Sequence, residues 1–317
     1  SVIEYLKAIK GTSPVADLMD NVDVTWKRVN DARLTNAVNK VSEKFDVSHP
    51  EKSIPALVEI YKSVELLKDD YWKEQKLNAI KELIQNCSGL FIDATTTKQY
   101  AVQGDSLKIN LVVNNRSGAN ILSADAHLNN DYVIFDQLKK NVNSTKDYTM
   151  YIGTNTKLTQ PYWLAEPMDK GSFNISDQQQ IGKGESDPFS VVFSMMIEGK
   201  EFKFSKPIRY KHTDPVKGEL YQPVTILPKV ELNYNADVYL AINNKPVEIG
   251  THVKTNLPEP SAITVTKQSS EKITNSNNPF VFKSDADHMV NNESSIFNFT
   301  GTDGDYVEEI KMQAGNG

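Results

Sequence analysis

A multidomain chain, α then all-β, is the architecture this sequence predicts: a small helical bundle at residues 1–88 and two immunoglobulin-like antiparallel β-sandwiches at 89–213 and 219–317, joined at 214–218. Three observations predict it. Up to about residue 87 the apolar residues recur at helical spacing; at Gly89 the period changes from about 3.6 to 2. About seven short strand patterns follow over roughly 120 residues, the number an immunoglobulin-like sandwich requires, and after residue 219 the same grammar restarts.

The helical third is read from its spacing and caps. Ile54, Leu57, Tyr61, Val64 and Leu67 lie on one helical face, as do Leu77, Ile80, Ile84 and Cys87. Ser13 with Pro14 and Asp17, and Ser53 with Pro55, read as helix entries. Helices are therefore expected over 14–29, 31–45, 54–68 and 70–87 as an antiparallel bundle with short polar turns.

In "SLKINLVVNNRSG" the residues Leu107, Ile109, Leu111 and Val113 alternate with Lys108, Asn110 and Asn114, a strand with one buried face. "PFSVVFSMMIEGKEFKFSKPIRY" is two strands around a glycine turn, and further strands are expected at 90–95, 119–128, 132–137 and 145–152. No helix-length pattern lies between them, so the sheets are expected to be antiparallel. The second sandwich is read from "VTILPKVELNY", "ADVYLAINNKPVEIG", "SAITVTK", "PFVFKS", "SSIFNFTG" and "YVEEIKM". Between the two, "DPVKGELYQP" holds Pro215 and Pro223 to stiffen the chain and Gly218 to turn it, so it reads as an interdomain joint rather than a ligand loop.

Composition bounds the function. The 317 residues carry 41 acids against 35 bases, a formal charge of −6, and only four bases are arginine (Arg28, Arg33, Arg116, Arg209), which argues against a nucleic-acid partner. No apolar run approaches the roughly 20 residues needed to cross a bilayer, so no membrane insertion is expected. Cys87 stands alone, which leaves no intrachain disulfide and no multi-cysteine zinc site, and it is expected to pack as a small apolar group. The chain opens directly into helix-like sequence and stops at "KMQAGNG", as a piece of a longer polypeptide would.

No catalytic site assembles from the residues. Histidines stand at 49, 127, 212, 252 and 288 without the paired spacing of a helical zinc site, and His49-Pro50-Glu51 reads as helix-entry sequence. Asp285, Asp287 and His288 are metal-ligand types in one loop, but the glycine and distal glutamate of a calcium loop are missing. Asp303-Gly304 is a hairpin turn, and Asp305 beside it needs no ligand. No Gly-x-Ser-x-Gly elbow seats a nucleophile. The binding candidate is "LTQPYWLAEP", where Tyr162 and Trp163 adjoin between prolines and could stack on a sugar or a partner, or close the edge of the sandwich.

In "IPALVEIYKSVELL", "NCSGLFIDATTTKQYAVQGDSLKINLVVNNRS", "QPYWLAE" and "DPVKGELYQPVTILPKVEL", spanning roughly residues 50–232, the chain resembles the region that follows the catalytic domain in long bacterial members of the PIG-L (LmbE-like) deacetylase family. Members of that family remove acetyl groups from N-acetylglucosamine-type amides with a zinc-bound water, using a His-Pro-Asp-Asp motif on an α/β domain. His49-Pro50-Glu51 has one acid where that motif has two and lies in a helical turn, so the metal role is not carried over to it. The resemblance implies a non-catalytic accessory segment of an exported enzyme, periplasmic or at the cell surface. Its partner would be its own upstream catalytic domain, and zinc would belong to that domain, with no cofactor in this segment. Two classes stay open: a scaffold that packs on and positions the catalytic domain, and a carbohydrate-binding sandwich using Tyr162 and Trp163.

Overall fold

The computed structural model describes residues 9–17, 19–20, 22–23, 25–26, 31–184, 187–243, 245–257, 261–268, 273–276, 279–284, 290–299 and 311–316. It is mostly β with a few helices. The chain divides into two compact units, one of residues 1–94, 110–146 and 191–206, the other of 95–109, 147–190 and 207–317.

In the first unit α1 (Ala32–Glu43) starts where the Asp31 carboxylate accepts from the Arg33 and Leu34 amides at 2.9 and 3.1 Å. Helix α2 (Ile54–Glu65), with proline in its first turn, buries Ile54, Leu57, Val58, Ile60 and Val64. Asp69 caps α3 (Asp70–Cys87), which buries Ile80, Ile84 and Cys87, and α2 packs against both other helices. Burial pushes the Cys87 thiol up, away from the reactive thiolate.

The helix expected over 14–29 is not formed by its described residues. Asp20 instead accepts from the amides of Val15 and Ala16, and Asp17 from that of Met19. These local side-chain bonds satisfy the donors that a first helical turn would leave open, so they compete with the helix. The remaining residues of that stretch lie outside the described set.

Gly89 makes the change of period physical. Its φ of +55° turns the chain out of α3, and a Cβ there would meet Arg116 Cβ at 3.1 Å and the Ser117 amide nitrogen at 3.3 Å. The strands that follow are β1 (Leu90–Thr96), β2 (Tyr100–Val102), β3 (Ser106–Asn115), β4 (Ile121–Leu128), β5 (Asp131–Phe135), β6 (Asn143–Tyr151), β7 (Ser190–Ile197) and β8 (Lys200–Pro207). One four-stranded sheet has the order β5-β4-β7-β8 and buries Ala124, Ala126, Leu128, Phe135, Phe193, Met195, Ile197, Phe202 and Phe204. Helix α2 is fixed to its β8 edge: Tyr61 meets the Phe202 ring edge-on at 4.9 Å, and Lys200 Nζ donates to both oxygens of Glu65 at 2.7 and 2.9 Å.

Strands β9 (Arg209–Asp214) and β10 (Gly218–Pro223) pair antiparallel with Gly218 opposite Asp214, and a five-stranded sheet has the order β10-β9-β1-β3-β6. Residues 214–218, expected to join two sandwiches, therefore form the turn of a hairpin within the second unit. The Asp214 carboxylate accepts from the amides of Val216 and Lys217 at 2.8 and 2.7 Å, and Gly218 takes φ of +79°. The proline, acid and glycine that suggested a joint are turn chemistry, which punctuates either structure. The sheets are also not wholly antiparallel. Thr95 and Thr96 of β1 pair in parallel with Arg209 and Tyr210 of β9, and β11 (Thr225–Leu227) pairs in parallel with β2. Such pairs need long crossovers, and more than 100 residues supply them here without an α-helix among the described residues, so the lack of helical patterns was no guide.

The second unit continues with β12 (Val230–Tyr234), β13 (Val247–Thr255), β14 (Ser261–Gln268), β15 (Ile273–Asn275), β16 (Phe280–Ser284), β17 (Val290–Phe299) and β18 (Lys311–Asn316). They form a sheet of order β12-β13-β17-β15 and another of order β16-β14-β18. The run expected over "ADVYLAINNKPVEIG" is a strand only from Val247; Val238, Leu240 and Ile242 are exposed.

Candidate functional site

The "QPYWLAEP" segment builds one wall of a cleft of about 450 Å³ in the second unit. Its floor is held by backbone pairing. The Thr225 amide donates to the Gln99 carbonyl at 3.0 Å, while Thr159 exchanges bonds with Ile226, its amide donating to the Ile226 carbonyl and its hydroxyl accepting from the Ile226 amide. Thr159, Thr225 and Gln99 are thereby fixed side by side.

Tyr162–Leu164 is one turn of 3-10 helix entered through Pro161, whose carbonyl accepts from the Leu164 amide at 2.9 Å. The Tyr162 hydroxyl accepts from the Gly182 amide at 3.2 Å, which ties that turn to the loop carrying Gln180, Lys183 and Gly184 along the cleft. Gln222 and Pro223, at the end of β10, complete it with Gln160.

The two aromatic residues singled out in the sequence do not act alike. Tyr162 lines the cleft; Trp163 is not among its lining residues. Both are half-buried, with rings 4.9 Å apart at 89°, so they cannot make one flat platform. Four glutamines were missed in the sequence because they lie at positions 99, 160, 180 and 222, which no spacing rule relates. The pairing of β11 with β2, the bonds between Thr159 and Ile226 and the bond from Gly182 to Tyr162 together bring them to one cleft. Gln180 donates to Asp177 at 3.0 Å, whereas the side chains of Gln99, Gln160 and Gln222 make no hydrogen bond among the described residues.

Chemically the lining offers amides that donate and accept, two threonines, the faces of Tyr162, Pro161 and Pro223, and one formal charge at Lys183. Among the described residues no histidine, cysteine, aspartate or glutamate lines it, and its titratable side chains are the Tyr162 hydroxyl and the Lys183 ammonium. The arrangement can hold a ligand by stacking and hydrogen bonds.

A second polar set lies on the sheet of the first unit. His127 Nε2 pairs with Asp125 Oδ2 within β4, and the Tyr132 ring meets the imidazole edge-on at 4.4 Å. Strand register places Asp125 opposite Ser194. Yet the Ser194 hydroxyl donates to Glu201 at 2.5 Å, a bond that holds the Glu201 carboxyl below its ordinary range, and so the serine is not poised on the imidazole as an activated nucleophile would be.

The other histidines are scattered. His212 stacks on Tyr210 at 4.9 Å, His252 bonds Asn292 at 2.8 Å, and His49 sits 3.4 Å from Glu51. A catalytic zinc takes three protein ligands and an open position. His49 and Glu51 are two groups in a turn, and no set of three or more such ligands gathers among the described residues. Asp285, Asp287, His288, Asp303 and Asp305 lie outside the described residues.

No family model matches this chain, and no curated protein matches it. Among solved structures it is similar to Escherichia coli alpha-2-macroglobulin in its native conformation, at 12% identity and a TM-score of 0.23 over 71% of this chain and 16% of that one. A Salmonella alpha-2-macroglobulin reacted with methylamine follows at 10% identity and 0.22, over 72% of this chain and 16% of that one. The Yersinia pseudotuberculosis adhesin InvE is similar at 11% identity and 0.21, over 72% of this chain and 56% of the adhesin. The chain thus spans only a part of each of these proteins, at scores that leave its function to be argued from its own cleft.

Proposed function

We propose that this chain is a non-catalytic accessory segment of a PIG-L (LmbE-like) deacetylase and that the cleft at Tyr162 binds a glycan. One observation carries the proposal. The segments "QPYWLAE" and "DPVKGELYQP", two of those on which the resemblance rests, meet at this cleft through Gln160, Pro161 and Tyr162 from the first and Gln222 and Pro223 from the second. Stretches about 60 residues apart that resemble one family and share one cleft are better explained by a ligand than by two independent structural needs. Amides that bind hydroxyls and a ring that covers C–H faces suit a sugar.

On this reading the strand-rich regions are two immunoglobulin-like sandwiches, and the deacetylation itself, with its zinc, belongs to a catalytic domain of the exported parent enzyme. No residue described here is assigned to that metal.

The test is a titration of the chain with oligomers of N-acetylglucosamine followed by amide chemical shifts. Shifts are expected at Gln99, Gln160, Gly182 and Gln222, and Tyr162→Ala should remove them while Trp163→Ala leaves most of them. Saturating oligomer with no shift at the cleft would overturn the glycan reading.

A scaffold role is the second reading, favoured by the apolar residues that the helices leave exposed: Phe45, Val47, Leu66, Tyr71 and Leu83. It predicts that an isolated catalytic domain of this family binds the chain, and that Leu66→Asp together with Tyr71→Asp abolishes that binding without changing the glycan shifts.

A further inference from the structure

We infer that the molecule taken by the cleft is an oligosaccharide carrying a single carboxylate, seated at Lys183. The inference deepens the glycan reading and rests on it. Among the described residues Lys183 is the only formally charged one lining the cleft, between Gly182, whose amide is held by the Tyr162 hydroxyl, and Gly184, which lines the cleft in turn. The loop bearing it is fixed: the Lys183 amide donates to the Gln180 carbonyl at 2.9 Å, and Gly182 takes φ of +85°. Its ammonium forms no ion pair within 4.0 Å among the described residues. The Asp177 carboxylate, which feels its charge, is held down first by its bond from Gln180 and then by the Gln179 amide, with Lys183 the weakest contributor.

A cation that faces a cleft without an ion-paired acid among the described residues repels a cationic ligand and is left unmatched by a neutral one. A carboxylate meets it without displacing an existing ion pair. The rest of the described lining is neutral, so further charges on the ligand find no partner among those residues, and the net charge of −6 repels a polyanion as a whole. One carboxylate on an otherwise hydroxyl-rich molecule is the composition these charges select. Because Lys183 is exposed, the added grip is that of a surface ion pair, about fivefold or less in affinity, and it should weaken as salt shortens the range of the interaction.

The experiment titrates the whole chain with three tetrasaccharides: a neutral one, one ending in a single uronic acid, and one built wholly of uronic acids. Dissociation constants are measured at low and at high sodium chloride, for the native chain and for Lys183→Gln. The mono-acid should bind about three- to fivefold more tightly than the neutral sugar at low salt. That advantage should vanish in Lys183→Gln and at high salt, and the polyanion should bind no better than the mono-acid. Equal binding of neutral and mono-acid sugars by the native chain, an advantage that survives in Lys183→Gln, or tightest binding of the polyanion would each overturn the inference while leaving the glycan reading standing. Binding of none of the three would overturn both. Acetate alone producing the full effect of the mono-acid would place the carboxylate at Lys183 but remove the sugar, which also overturns it.

Discussion

The two units bury their sheets with different materials. In the first, the sheet β5-β4-β7-β8 turns inward an unbroken apolar set in which Phe193 and Phe202 are fully buried, and the rings of Phe135 and Phe193 lie 6.3 Å apart. In the two sheets that residues 230–316 contribute to the second unit, the inward positions gather into two small clusters, Val253 with Ile263, Val265, Phe280 and Phe282, and Ile249 with Ile273 and Phe297. Polar residues complete that interior. Along β14 the inward series Ile263, Val265 ends in Lys267, which is only 2% exposed. Its ammonium bonds the Ser295 hydroxyl and lies 4.8 Å from the Phe280 ring. Alternation in the sequence therefore marks which residues face inward, but the chemistry of the inward residue decides whether that face contributes stability or costs it.

The largest expected effect tests the apolar side of this contrast. Phe193→Ala should cost about 3 to 5 kcal/mol, as truncating a buried aromatic does, and hydrogen exchange should quicken across β4, β5 and β7. A loss below about 1 kcal/mol would mean that the sheet is not the rigid part of the molecule.

Second in size, and opposite in sign, is Lys267→Met. Burial lowers the Lys267 pKa below its ordinary value, against the opposing pull of Glu293, so in the unfolded chain the lysine holds its proton to higher pH than in the folded one. Its contribution to stability is then present above the ordinary lysine value and is lost as pH falls through the folded one. Near neutral pH the methionine variant should be more stable, by roughly 1 to 4 kcal/mol if the replacement behaves as other apolar substitutions of buried charge do. The difference should shrink as pH rises toward the ordinary lysine value. Paired urea melts at several alkaline pH values measure it, and a difference that grows with pH would show that the ammonium is held favourably.

Smaller still is Ile249→Val in the small cluster of the second unit, expected to cost about 0.5 to 1.5 kcal/mol. An effect matching that of Phe193→Ala would erase the contrast between the two interiors. Last comes Glu65→Gln, which removes the ion pair between α2 and β8. The pair is partly exposed, and its loss should cost only about 0.2 to 1 kcal/mol, falling with added salt. The apolar contact of Tyr61 with Phe202 should hold the helix in place, and double substitution with Tyr61→Ala should release it.

Much of this protein was legible in the sequence because local rules decided it. The three helices over 32–43, 54–65 and 70–87, the break at Gly89, and strands β1, β3, β4, β7 and β8 follow from periodicity, caps and turn residues that act within a few positions. The Tyr162-Trp163 pair also stood out locally, as adjoining rings between prolines. What only the tertiary structure decided involves residues far apart. The parallel pairing of β1 with β9 and of β11 with β2 depends on which edges meet after the sheets form. The second of these pairings, with the bonds between Thr159 and Ile226, gathers Gln99, Gln160 and Gln222 at one cleft, which Tyr162 lines and Trp163 does not. The 14–29 segment and the 214–218 turn show the other limit: acids accept from local backbone donors and prolines fix φ in a helix entry, an Asx turn or a hairpin alike, so their presence fixes a change of direction without fixing which structure it serves. Lys267 carries the same lesson into the core, since alternation assigned it a face, and only the placement of Ser295 and Phe280 across from it supplied the partners that let a lysine be buried there.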